Sequence, residues 1–168
     1  MKKSILLIYI LIIFLSFSFL KSNDSIPNKN FGNHLWYAEF MGNSFFASFN
    51  YEYVMIRNFL YTSETNFRIG IGSALPFDYF NIPIMINLIY GRKHCFEIGA
   101  GLLFDYVYKN KGKSDYTYPQ EVIKYISFIG YRYKNEDGDI IIRVGLTPFF
   151  TSDYGIRLWT GISFGQYF

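Results

Sequence analysis

From Gly155 to Phe168 the chain alternates. Ile156, Leu158, Thr160, Ile162, Phe164 and Phe168 fall on one side of an extended backbone, and Arg157, Trp159, Gly161, Ser163 and Gly165 on the other. Side chains of a β-strand point to opposite faces in turn, so this period of two reads as a strand with one greasy face and one mixed face. The pattern recurs. In 139–150, Ile140, Ile142, Val144 and Leu146 oppose Ile141, Arg143, Gly145 and Thr147. In 94–108, Phe96, Ile98, Ala100, Leu102 and Phe104 oppose Glu97, Gly99, Gly101 and Asp105. In 64–74, Phe67, Ile69 and Ile71 oppose Arg68, Gly70 and Gly72, and in 44–57 Phe45, Ala47, Phe49 and Tyr51 oppose Ser48, Asn50 and Glu52. Helical periodicity holds over no comparable window.

Eight strands are predicted, at 34–41, 44–57, 64–74, 81–90, 94–108, 120–134, 139–150 and 155–168. Gly42-Asn43 and Asp137-Gly138 carry hairpin-turn chemistry. Most predicted strands reach the 9–11 residues that a tilted spanning strand needs, and an even strand number suits a closed barrel. Residues 1–22 hold Lys2 and Lys3 and then an apolar run from Ile5 to Leu20, the pattern of a secretory signal. We expect cleavage near Ser22. The absence of a cysteine after the run argues against a lipid-anchored protein. Residues 23–33 read as a flexible leader and 34–168 as the barrel.

Alternation alone does not say which face is inside. A soluble lipocalin-like carrier would bury the apolar face. Three features point the other way. Glycines share a face with the charges, where a narrow lumen needs small residues and a wet exterior would gain nothing from them. Of the lysines, only Lys124 lies well within a predicted strand. Strand ends are aromatic, at Tyr37, Tyr53, Tyr90, Tyr106, Tyr108, Tyr131, Tyr133, Phe149, Tyr167 and Phe168, as interfacial girdles are. Charged residues make up only 17% of the chain against 51% hydrophobic, below the roughly 25% charge of soluble domains. The fold class is therefore an all-β, closed, antiparallel up-and-down transmembrane barrel.

The predicted luminal set is Glu39, Glu52, Arg68, Glu97, Asp105, Arg132, Arg143 and Arg157. An eight-stranded barrel has room for side chains and little else, so these charges must pair, and the lumen is expected to be plugged rather than a pore. In 120–134, Tyr125, Ile129, Tyr131 and Tyr133 look outward, which sends Ile126 and Phe128 inward. With the first strand entering from the periplasm, the turns 58–63, 91–93 and 135–138 are periplasmic. The connections 42–43, 75–80, 109–119 and 151–154 are then external. The long loop 109–119 offers Lys109, Lys111, Lys113, Tyr116 and Tyr118 to lipopolysaccharide phosphates or a partner.

Several local strings, in order, resemble small outer-membrane β-barrel proteins of Bacteroidota-like bacteria. These are Glu39-Phe40 before Gly42-Asn43, Ser48-Phe49-Asn50-Tyr51-Glu52, and Ile82-Pro83 running to Gly91. Glu97-Ile98-Gly99-Ala100-Gly101, Gly130-Tyr131-Arg132-Tyr133 and Arg143-Val144-Gly145-Leu146-Thr147-Pro148 follow. The resemblance covers 34–168 and implies residence in the outer membrane, among its lipids, with little implied about activity. Ile162, Phe164 and Phe168 are similar to the terminal signal read by the barrel-assembly machinery, although Gln166 departs from it.

Catalysis is not expected. Lipid A or phospholipid editing needs a histidine with a serine and a carboxylate. His34 and His94 are the only histidines, and neither falls near Ser48 or Ser127. Two histidines on separate strands and the single Cys95 form no metal set, so no cofactor is expected. Cys95 reads as a small apolar residue. The net charge of +3, without a basic stripe, excludes nucleic acid. A small transporter or channel is the main alternative to a structural or surface-interaction barrel.

Overall fold

The computed structural model describes residues 32–44, 46–58, 62–74, 79–107, 123–135, 139–151 and 155–168. Eight antiparallel strands follow one another around a closed barrel, each paired with its chain neighbours and the last with the first. They are β1 (His34–Met41), β2 (Ala47–Arg57), β3 (Glu64–Ala74), β4 (Tyr79–Tyr90), β5 (His94–Val107), β6 (Ile123–Lys134), β7 (Ile140–Thr151) and β8 (Gly155–Tyr167). Closure leaves no open sheet edge. The predicted strands lie within three residues of these bounds at every end.

The glycine face points in and the aliphatic face points out. Ile142, Val144, Leu158, Ile162 and Phe164 are all exposed on the outer wall, together with Ile69, Ile71, Ile82, Ile86 and Ile129. Such a continuous apolar exterior is foreign to soluble monomers. β4, whose faces the sequence left undivided, alternates the same way. Asn81, Met85, Asn87 and Ile89 are buried, and Ile82 and Ile86 are exposed. Pro83 removes a ladder donor, and the β3–β4 pairing skips from Ile69–Ile84 to Gly72–Asn81 around it.

The interior is layered. Near the end where β1 begins, Leu35, Tyr37, Val54, Ile141 and Tyr167 pack together. Toward the other end, Met85, Leu103, Ile126, Phe128 and Phe149 form a second cluster, against which Trp159 packs. Charged side chains fill the space between. Glycine makes room for bulky interior side chains. Gly130 and Gly145 face each other across β6 and β7, and a Cβ on either would come within 2.6 Å of the Phe128 ring tip.

Four expectations are corrected. Tyr37, Phe149 and Tyr167 are buried inside rather than in an outer girdle, because they share strand parity with Glu39, Arg143 and Ser163. Tyr53, Tyr106, Tyr131 and Phe168 do lie exposed on the outside. Arg157 has inward parity but is exposed, because it stands near the start of β8, at the rim. The predicted two-residue turn at Gly42-Asn43 is a 3-10 turn, Gly42–Ser44, with all three residues buried, so β2 starts at Ala47 and not at 44. The signal segment 1–22, leader residues 23–31, and Lys109, Lys111, Lys113, Tyr116 and Tyr118 lie outside the described residues.

Candidate functional site: the ion-paired lumen

Inward parity on six strands brings charges to the middle of the barrel. Glu97 on β5 is the hub. Its carboxylate accepts from Arg132 Nε at 2.8 Å and from Arg143 Nε at 3.0 Å and Nη2 at 2.6 Å. Arg132, on β6, also reaches across the lumen to Glu52 on β2 at 2.8 Å. Asn66 donates to the same Glu52 at 2.5 Å and Asn87 at 3.4 Å. Arg143 continues toward Glu39 on β1, at 3.8 Å, and Glu39 accepts from Arg68 on β3 at 2.8 Å. Asn50 accepts from both Nε and Nη2 of Arg68.

The chain Arg68–Glu39–Arg143–Glu97–Arg132–Glu52 thus ties six strands together through alternating signs. All six groups are fully buried. Charge-assisted, multiply bonded pairs are the form in which buried charge is tolerated, because their hydrogen bonds offset desolvation. Aromatic faces complete the coordination. The Arg143 guanidinium lies between the rings of Tyr37 at 4.7 Å and Phe128 at 4.3 Å, and Arg68 sits over Tyr37 at 5.1 Å. Each arrangement is a cation–π contact.

The network extends to both ends. Near the start of β1, Glu64 accepts from Lys134 at 2.8 Å, from Arg57 at 3.2 Å and from Tyr167 at 3.1 Å. Tyr167 in turn accepts from Arg132 at 3.3 Å. Toward the opposite end, Lys124 pairs with Asp105 at 2.5 Å. The turn Gly42–Ser44 folds in at that end. The Asn43 carboxamide oxygen, turned so that both ends of the amide are satisfied, accepts from Arg68. Gly42 takes φ +82° and a Cβ there would meet the Glu39 carboxyl, so only glycine lets the turn descend onto the network.

Seven of the eight luminal residues picked from sequence are buried, and Arg157 is not. The sequence reading missed Glu64, Lys124 and Lys134, and the asparagines Asn66, Asn81 and Asn87, all of them buried, whereas Asn50, read on the same face as Glu52, is buried with it. Parity carried the signal. Lys134 and Lys124 are even-numbered on β6 like Arg132, and Glu64 and Asn66 are even-numbered on β3 like Arg68. Among the described residues, five acids (Glu39, Glu52, Glu64, Glu97, Asp105) and five cations (Arg68, Lys124, Arg132, Lys134, Arg143) are buried. The buried charge sums to zero.

The residues weighed for catalysis are engaged elsewhere. Ser48 donates to Glu39 at 3.2 Å, and Ser127 donates to the Pro148 carbonyl at 3.1 Å. His34 and His94 bond to Tyr51 and Tyr131 on the outer wall. Cys95 is buried and its thiol donates to the Arg92 carbonyl at 3.3 Å. No three His, Cys, Asp or Glu side chains are grouped to hold a metal among the described residues.

This architecture defines a closed eight-stranded up-and-down β-barrel with an apolar exterior and an ion-paired, side-chain-filled interior. It is similar to the N-terminal β-barrel domain of Pseudomonas aeruginosa OprF, with a TM-score of 0.56 and 15% sequence identity over 83% of this chain and 100% of that one. The likeness is to an outer-membrane protein's barrel domain and is one of fold. It does not extend to the narrower Bacteroidota-like resemblance. No family model and no curated protein matches the chain.

Proposed function

We propose that the protein is an integral outer-membrane barrel with a structural or surface-interaction role and no chemistry of its own. In this reading, residues 1–22 direct export, and the barrel-assembly machinery takes up the strand ending in Ile162, Phe164 and Phe168. The aliphatic wall lies in lipid, and loop 109–119 faces outward toward lipopolysaccharide. The carrying observation is the combination of an exposed Ile, Val and Leu wall with a charge-neutral, fully buried lumen. In hydrocarbon every backbone group must be satisfied internally, and a closed barrel does this with strands. Outward apolar and inward polar alternation is the pattern of such barrels.

The packed lumen favours a structural barrel over a small channel. Arg68, Arg132 and Arg143 are each 0% exposed, and the turn Gly42–Ser44 covers the network from one end. A permeating ion would have to part several charge-assisted pairs at once. Reconstituted into planar bilayers, the full chain is therefore expected to give no discrete conductance steps. Reproducible unitary steps would replace this reading with a porin-like one.

A further inference from the structure

The barrel carries the same aromatic–imidazole cluster twice. On β1 and β2, the string His34-Leu35-Trp36 lies beside Tyr51-Glu52-Tyr53. On β5 and β6, His94-Cys95-Phe96 lies beside Tyr131-Arg132-Tyr133. The registers match, with His34 opposite Tyr53 and His94 opposite Tyr133. In each cluster the imidazole Nδ1 sits 2.5 Å from a phenol, that of Tyr51 or Tyr131. The second tyrosine ring packs on the imidazole at 5.2 or 5.5 Å. The central residues point inward, where Glu52 and Arg132 pair across the lumen. The two clusters therefore stand at the same end of the barrel, four strands apart in a ring of eight.

A phenol that donates to Nδ1 leaves the imidazole proton on Nε2. That N–H has no partner among the described residues. A repeated, pre-oriented donor set in rigid aromatic packing on the outer wall fits an acceptor that the bilayer supplies at that depth. We propose that the two clusters are phospholipid headgroup sites, each holding one phosphodiester through imidazole Nε2–H. Exposed Arg92, two residues before His94, adds positive charge beside the second. On β8, Phe168 stacks on His34 at 5.6 Å and narrows the first. The inference rests on the membrane reading above.

The test is to fold the full chain into phosphatidylglycerol vesicles, extract it in mild detergent and weigh the intact complexes. Wild type is expected to retain one more lipid than either H34F or H94F, and two more than the double variant. H94Q keeps an N–H near the Nε2 position and should hold its lipid, which separates hydrogen bonding from ring packing. Equal lipid complements in wild type and the double variant, with both inserted and migrating as compact barrels, would overturn the headgroup sites alone. Failure of wild type to insert would overturn the membrane reading as well.

Discussion

Glu97→Ala is expected to destabilise the barrel by about 3–5 kcal/mol, the loss typical when one partner of a buried ion pair is removed. Glu97 accepts three hydrogen bonds from two arginines. Without it, Arg143 faces only the carboxylate of Glu39, at 3.8 Å, and the lumen carries one uncompensated positive charge. The same argument predicts a rescue. In the double variant E97A/R143M the buried acids are Glu39, Glu52, Glu64 and Asp105, and the buried cations are Arg68, Lys124, Arg132 and Lys134. Neutrality returns, and much of the lost stability should return with it. Urea unfolding of the reconstituted barrels measures both. Simple additivity of the two single variants would contradict a shared network.

Leu146→Arg tests the outside as that double variant tests the inside. Leu146 is exposed near the middle of β7, level with Ile129 on β6 and Thr160 on β8. In water, an exposed leucine is replaced by arginine at a cost within about 0.5 kcal/mol. On the lipid face near the bilayer midplane the same change costs about 2–4 kcal/mol. The substitution removes no luminal contact, so its effect reports only the surrounding medium. The expected result is a clear fall in the urea midpoint of barrels folded into vesicles, far larger than that for the same arginine at Phe168, at the strand terminus.

The strands were legible because β2, β3, β5, β7 and β8 alternate over long windows and turn residues bound the runs between them. The inside set was legible where charge and glycine shared a parity, as at Arg68 with Gly70 and Gly72, or Glu97 with Gly99 and Gly101. The errors share a physical cause. Tyr37, Phe149 and Tyr167 were placed by their position near strand ends, although parity with charged or small neighbours already set them inside. A phenol beside Arg68 and Arg143 serves as a face for guanidinium, a use that position alone does not reveal. Arg157 shows the converse limit. Parity gives direction and not depth, so a rim residue cannot be told from a luminal one. The turn Gly42–Ser44 was read as a simple hairpin connection. Its descent onto Arg68 depends on room left by Gly72 and Gly161 on strands distant in sequence, and no local pattern encodes that.

Where the barrel sits in the cell is the most direct test of the account. Cells expressing the full chain are fractionated, the membranes are washed with alkaline carbonate, and the pellet is run on a gel with and without boiling. The protein is expected to stay in the washed membranes and to run faster unboiled, as a compact barrel that detergent alone does not unfold. Recovery in the soluble fraction, with one mobility under both conditions, would contradict the claim that the aliphatic wall faces lipid.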